Sequence, residues 1–333
     1  MSDSWENKNV FITGCTGFIG CWLAKELVES GARVTGLVRD VVPQSAFFQL
    51  NLNKKINIVA GKIDNLQLLK RIISEYEIDT VFHLAAQTQV EIAHQNPLST
   101  FETNIMGTCN ILEACRTSGR HIKRIVIAST DKAYGEQAKL PYTENAPLRG
   151  IYPYDASKSC TDLIAYSYFK TYQLPVCITR CGNVYGPGDL NFKRLIPGTI
   201  LSVLKNQPII IRSDGTFKRD YLYVKDTVRA YLTLANGIEN LNLSGEALNF
   251  SSGTPISVID MTHKILDVFG KKDYPIKVLG EAKYETKDQY SSNQNAYKKL
   301  NWKPTYTIEN ALKETIDSFV SLSEDNEQQY KSF

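Results

Sequence analysis

Three glycines spaced three apart, Gly14, Gly17 and Gly20, stand between an apolar run and a helical pattern. The segment Val10–Gly20 reads VFITGCTGFIG, and this strand–turn–helix order constrains the fold more than any other stretch. The first glycine permits a tight turn, the second lets a backbone approach a pyrophosphate, and the third permits close helix–strand packing. The helix that follows offers free N–H groups and a positive dipole end to an anion. The spacing is GxxGxxG rather than the commoner GxGxxG, so the context carries the reading.

Beyond this turn, short apolar runs alternate with helical patterns. Strands are expected at Asn9–Thr13, Ala32–Val38, Ile56–Val59, Thr80–Leu84, Arg124–Ser129 and Val176–Thr179. Helices are expected at Gly17–Ser30, Leu66–Tyr76, Phe101–Ser118 and Tyr154–Tyr172. Such alternation implies βαβ units, right-handed crossovers and a mostly parallel sheet. The expected fold is therefore α/β, a doubly wound parallel Rossmann sheet with a smaller mixed α/β substrate-binding domain. Residues 1–182 are assigned to the dinucleotide-binding domain, and 183–333 mainly to the smaller one. Past Asn183 the loops become rich in Gly and Pro, as at Gly186–Gly188, Pro197–Gly198 and Ser213–Gly215. Within that half, Asp220–Ala235 reads as strand then helix, and 219–236 is expected to return to the first domain. The polar tail from Ser321 is expected to fray.

Composition excludes several classes. A length of 333 residues exceeds what one small core serves, and 43% hydrophobic residues fill a large one. A net charge of +3 without a clustered basic face argues against a nucleic-acid partner. The first eight residues lack a basic-then-apolar leader, and no apolar run reaches membrane-span length. Seven scattered cysteines read as free thiols in a reducing cytoplasm. Four histidines, His83, His94, His121 and His263, show no ligand spacing, so no metal is expected.

Two further constellations point to chemistry. The run Ile125–Gly135, IVIASTDKAYG, delivers Ser129, Thr130, Asp131 and Lys132 at the C-terminal end of a buried strand, where open α/β sheets place ligands. Four consecutive polar residues there are costly unless they face a polar cleft; the alternative is a solvated surface turn. Tyr154 and Lys158 are one helical turn apart, on one face. An ammonium near a phenol favours the phenolate, which then removes a hydroxyl proton as hydride leaves the same carbon. At the end of the second strand, Arg39 and Asp40 stand side by side. An Arg accommodates a 2′-phosphate and an acidic residue bonds a 2′-hydroxyl, so NADP is expected, with NAD as the alternative. Arg39 stacking on adenine while Asp40 caps the next turn is the other reading of the pair.

Together these motifs resemble the extended short-chain dehydrogenase/reductase superfamily. The likeness rests on TGCTGFIG (Thr13–Gly20), VFHLAAQ (Val81–Gln87), NIMG (Asn104–Gly107), IASTDKAYG (Ile127–Gly135), YDASK (Tyr154–Lys158), RCGNVYGPG (Arg180–Gly188), LIPGTI (Leu195–Ile200) and RDYLYVKD (Arg219–Asp226). It runs from about Asn9 to Ser318. Within the superfamily the chain is most similar to nucleotide-sugar 4,6-dehydratases, particularly those related to CDP-glucose and GDP-mannose enzymes. Asp131 and Lys132 carry that distinction, because a dehydratase needs an acid and a base to eliminate water, whereas a 4-epimerase does not.

The resemblance implies that Thr130, Asp131, Lys132, Tyr154 and Lys158 are catalytic. It implies a cofactor groove of Gly14, Thr16, Gly17, Phe18, Ile19, Gly20, Arg39, Asp64, Leu84, Ala85 and Ala86 with Tyr154 and Lys158. It implies nucleotide-diphosphate-sugar contacts at Gln87, Asn183, Arg194 and Arg219; for Arg194 a solvated surface charge is the other reading. Lys132 is the expected C5 base and Asp131 the acid at the 6-hydroxyl, roles that are interchangeable on sequence alone. Asn104 is expected to support the packing around the active site. The chain departs from its relatives in two places. Lys62 follows Gly61 where many have Asp, and an Arg usual near Tyr284–Lys287 is missing, with Lys287 as substitute. A homodimer through the Phe101–Arg116 and Ser157–Thr171 helices is implied as well. The two competing readings are a 4-epimerase and a nonenzymatic NADP-binding module.

Overall fold

The computed structural model describes residues 5–118, 121–282 and 285–325. Tyr284, one of the positions considered for diphosphate binding, lies outside them. The first half runs β1 (Asn9–Thr13), α1 (Phe18–Glu29), β2 (Arg33–Val38), α2 (Ala46–Gln49), β3 (Asn57–Ala60), α3 (Leu66–Glu75) and β4 (Thr80–His83). It continues through α4 (Val90–Gln95), α5 (Pro97–Phe101), α6 (Gly107–Thr117), β5 (Arg124–Thr130), α7 (Pro153–Tyr172) and β6 (Val176–Cys181). The second half holds β7 (Asn183–Tyr185), α8 (Leu195–Leu204), β8 (Ile209–Ile211), β9 (Lys218–Arg219), β10 (Tyr221–Tyr223) and α9 (Val224–Asn240). After it come β11 (Ala247–Phe250), β12 (Ile256–Ser257), α10 (Val258–Phe269), β13 (Ile276–Val278), α11 (Gln294–Leu300) and α12 (Ile308–Asp325).

Seven strands form one parallel sheet in the order β11-β6-β5-β4-β1-β2-β3. The winding direction reverses between β1 and β4, and the crevice beyond their C-terminal ends is where such sheets bind ligands. Alternate side chains of each strand serve opposite faces. Val10, Ile12, Phe82 and Val126 join α1 and α9 in one core; Phe11, Val81, Ile125 and Ile127 join α3, α6 and α7 in the other. Burial on both faces is why these strands read as continuous apolar runs.

The structure departs from the sequence reading at three points. The expected helix Phe101–Ser118 is broken by a wide π turn over Glu102–Met106, which turns Asn104 inward. Residues 247–250, expected in the smaller domain, supply β11, the edge strand of the main sheet beside β6. The tail from Ser321 stays helical to Asp325, with residues 326–333 outside the described part. The other short strands pair as β7–β10, β9–β12 and β8–β13. A separate small core, Val203, Ile209, Ile211 and Leu266, sits under α8 and α10.

The glycine turn is explained sterically. Gly14 has φ +76°, and a Cβ there meets the Ala85 nitrogen at 2.8 Å. A Cβ on Gly20 stands 2.1 Å from the Gly14 oxygen, which no side chain tolerates. Gly17 is the N-cap of α1 and supplies no side-chain cap, so first-turn N–H groups face outward without a competing acceptor. All seven cysteines are free thiols. Among the described residues no helix is long and apolar enough to cross a membrane. Nor, among them, does any cluster of three or more His, Cys, Asp or Glu stand where it can hold a metal ion.

Candidate active site

The end of β5 and the start of α7 build the site. Thr130 closes β5, and its hydroxyl accepts from the Lys132 N–H at 3.3 Å, capping a short 3-10 turn over Asp131–Tyr134. That turn tucks Asp131 inward, to 2% exposure, and leaves Lys132 half-buried. Thr130 Oγ1 and Gln289 Nε2 both donate to Asp131 Oδ1, at 3.1 and 2.6 Å. Asp131 Oδ2 is buried and has no hydrogen-bond partner among the described residues. Burial raises the Asp131 carboxyl above the ordinary carboxylate range, against the opposing pull of Lys132. Its direction is the one an acid needs.

Helix α7 begins with Pro153 at its first turn, where a missing N–H costs nothing. Tyr154 and Lys158 follow, both buried. The expected lowering of the Tyr154 phenol does not appear. Burial pushes it above its ordinary value, and the nearby cation that opposes this is Arg194. Lys158 instead donates to the Ala128 carbonyl at 2.7 Å, and burial brings its ammonium down to about 8, against the pull of Asp162. Desolvation of both groups outweighs the attraction that the spacing alone suggests.

Behind this pair lies a network that the sequence reading did not single out. Ser129 donates a short bond to Asp162 Oδ2, and Arg180 Nε donates to Asp162 Oδ1 at 2.6 Å. Arg180 Nη1 donates to the Tyr134 hydroxyl at 2.8 Å, which donates to Asn249 Oδ1 at 2.7 Å. Asp162 is one turn beyond Lys158, so its place on that face was readable from spacing. Its partner on β6 was not.

The β4 loop is held with equal care. Thr108 donates to the Asn104 carbonyl at 2.6 Å, so it accepts from His83 Nε2–H at 3.2 Å. His83 Nδ1 then accepts from Thr13 at 2.8 Å, while Thr13 Oγ1 accepts from Ala85 N–H at 3.2 Å. Burial lowers His83 to about 3, so this chain keeps one direction at neutral pH. Asn104 accepts from the Gln87 N–H at 2.7 Å and donates to the Gln87 carbonyl at 3.1 Å and Ser157 Oγ at 2.8 Å. The π turn therefore ties the Gln87 backbone to α7.

The remaining expected residues ring the same end of the sheet. Arg39 and Asp40 pair with each other at 2.5 Å and are mostly exposed. Asp64 is exposed at the head of α3, its carbonyl accepting from Asn110 at 3.3 Å. Thr16, Phe18, Ile19, Leu84, Ala85 and Ala86 are half-buried along the crevice. Asn183 lies on β7, its N–H bonded to the Asp220 carbonyl at 3.0 Å. Arg194 pairs with Asp189 at 3.1 Å. Arg219 is committed elsewhere: it donates to the carbonyls of Lys218, Thr286 and Lys287 at 2.7–2.9 Å and so fastens the 285–289 segment.

The sequence profile of the GDP-mannose 4,6-dehydratase family matches residues 11–315. The chain belongs to that family. It is an extended short-chain dehydrogenase/reductase. It is 34% identical over 260 residues to the CDP-glucose 4,6-dehydratase of Salmonella typhimurium, covering 75% of this chain and 70% of that one. It is 32% identical to the UDP-glucuronate 4-epimerase of Thermodesulfobacterium geofontis, over 92% of this chain and 94% of that one. Among solved structures, the dTDP-glucose 4,6-dehydratase of Bacillus anthracis, in complex with NAD, superposes with a TM-score of 0.84 at 27% identity. That match covers 98% of this chain and 99% of the other. The chain spans about half the length of the trifunctional Arabidopsis thaliana enzymes that it also matches.

Proposed function

We propose that this protein is a nucleotide-sugar 4,6-dehydratase, forming a 4-keto-6-deoxyhexose from a nucleoside-diphosphate hexose. The observation that carries the reading is the Asp131–Lys132 pair, an acid and a base beside Tyr154 and Lys158 at one sheet end. The glycine cradle and the uncapped start of α1 suit a dinucleotide diphosphate, held by Gly14–Gly20 with Leu84–Ala86 beside it. Arg39 and Asp40 stand where the adenine ribose is read, and Arg39 favours NADP. A nicotinamide, when bound, supplies the acceptor for hydride from C4 and its return to C6.

The chain's own residues do the proton work. Tyr154, ionised against the pull of burial, takes the 4-hydroxyl proton, with Lys158 one helical turn along, and the Thr130 hydroxyl turns from Asp131 Oδ1 to donate to that oxygen. The resulting 4-ketone acidifies C5–H. Lys132 takes the C5 proton, and Asp131 protonates the departing 6-hydroxyl. A 4-epimerase is the second reading, favoured by the epimerase relative; it leaves Asp131 and Lys132 without a task. Exposed apolar side chains at Leu98 (66%), Met106 (53%), Leu163 (59%) and Tyr166 (47%) fall on α5–α7, where a second copy of the chain docks in this reading. Light scattering is expected to show a dimer that Leu163→Asp converts to monomer; a monomeric wild type removes this point.

The test of the whole reading is incubation with CDP-, UDP-, dTDP- and GDP-hexoses in deuterated water, with NAD or NADP. Loss of one water and gain of one deuterium in one nucleotide sugar is the expected result. An isomer of unchanged mass gives the site to epimerisation instead.

A further inference from the structure

One buried side chain contacts both halves of the acid–base pair and has no place in the scheme above. Gln289 is 2% exposed. Its Nε2 donates to Asp131 Oδ1 at 2.6 Å, and its Oε1 accepts from Lys132 Nζ at 3.5 Å. Only this orientation of the amide satisfies both neighbours: rotated, it sets oxygen against carboxyl oxygen and N–H against ammonium. Its backbone is fixed too. The Gln289 N–H donates to the Lys218 carbonyl at 3.0 Å, Asp288 accepts from the Lys218 N–H at 3.0 Å, and Arg219 grips the carbonyls of Thr286 and Lys287. The amide is thus carried by β9 and its neighbouring segment, not by the strand that carries the pair.

We propose that Gln289 is a positioning residue of the elimination step, holding Asp131 by one oxygen so that the other presents the proton, and keeping Lys132 off that carboxyl. Adjacent acid and base side chains otherwise collapse into an ion pair, in which the carboxyl has no proton to give and the amine no lone pair to use. Asp131 Oδ1 is held by Gln289, and by Thr130 until its hydroxyl turns to the substrate; Oδ2 is buried and has no hydrogen-bond partner among the described residues, so the acid proton belongs on Oδ2. The elimination then balances. The C5 proton passes to the Lys132 amine, and the freed electron pair forms the C5–C6 double bond as the C6–O bond breaks. The hydroxyl leaves with the Asp131 proton as water, so one ammonium and one carboxylate remain.

The inference rests on the dehydratase reading, and the test separates the two. Wild type and Gln289→Leu are given the sugar nucleotide that the wild type dehydrates, and two signals are followed: absorbance of reduced nicotinamide, which reports C4 oxidation, and deuterium uptake with water loss, which reports elimination. Gln289→Leu is expected to form reduced nicotinamide at the wild-type rate with unchanged KM, while elimination slows by about 10²-fold, the scale of a misplaced catalytic group. A 4-keto hexose that still holds its 6-hydroxyl then accumulates. Equal slowing of both signals, or of neither, overturns the inference while leaving the dehydratase intact. A wild type that yields only an isomer overturns both. Gln289→Glu is the second variant, since a protonated carboxyl donates one bond and keeps one acceptor as the amide does. Asp131 and Lys132 are the charged groups in contact with it, and Asp155, Asp220 and Arg219 lie within electrostatic range of Asp131. Its elimination deficit is expected to narrow relative to wild type as pH falls; a deficit constant with pH counts against the proposal.

Discussion

Replacing Tyr154 by Phe lowers dehydration by about 10²- to 10⁴-fold, the range that one proton-transfer group contributes. The ring stays: Tyr154 is 9% exposed at the first turn of α7, so Phe keeps the packing and removes only the hydroxyl. In the proposed reaction the phenol takes the 4-hydroxyl proton, so the loss is expected to fall on C4 oxidation, and every later step starves. Neither reduced nicotinamide nor the 4-keto hexose accumulates, which distinguishes this variant from Gln289→Leu. The measurement is single-turnover absorbance with the sugar nucleotide at saturation. Retention of more than about a tenth of the wild-type rate assigns the proton to another group.

The second large effect is on stability. Asp162→Ala strands the Arg180 guanidinium, which is 8% exposed by side chain and loses its 2.6 Å partner. Removing one member of a buried pair costs about 3–5 kcal/mol, because the charge left behind is neither solvated nor paired. Ser129 loses its acceptor at the same time, at the end of the strand that carries Thr130 and Asp131. Denaturant unfolding of Asp162→Ala, Arg180→Leu and the double variant Asp162→Ala/Arg180→Leu measures this, and the double variant is expected to be less destabilised than the two single effects added together. A single-variant cost below about 1 kcal/mol means that water or another acceptor reaches Arg180, and the network is then not the support described here. Asp162 also holds up the Lys158 ammonium, whose value is about 8 in the intact protein. In Asp162→Asn that value falls, so Lys158 loses its charge at a lower pH, and a pH profile of dehydration shows the shift on its alkaline side.

How far the sequence reaches can be judged element by element. The strands β1, β2, β4, β5 and β6 were legible because parallel strands buried on both faces are uninterrupted apolar runs, whereas the edge strand β3 is mostly exposed. The glycine turn was legible because only glycine survives 2.1 Å from a carbonyl oxygen. Thr130, Asp131, Lys132, Tyr154 and Lys158 were legible because one strand end and one helical turn bring them together with little help from elsewhere. β11 was not: Ala247–Phe250 is four residues long and carries Asn249, whose buried side chain is satisfied by the Tyr134 hydroxyl and the Tyr142 carbonyl, both distant in the chain. The break at Glu102–Met106 was hidden for a related reason, since nothing local says that Asn104 must reach both the Gln87 backbone and Ser157.

Local order along the chain, then, determined the alternating α/β architecture, the glycine turn and the grouping of Thr130, Asp131, Lys132, Tyr154 and Lys158, because each depends on contacts within about one strand or one helical turn. Tertiary structure alone decided their state. Burial, not the neighbouring charge, sets Tyr154 above its ordinary value and Lys158 below its own. Arg219 fastens Lys287, 68 positions away, and that segment delivers Gln289 to Asp131 across a separation of 158 positions. Desolvation and long-range hydrogen bonds depend on what folds over a group, and a sequence read in short windows does not contain that information.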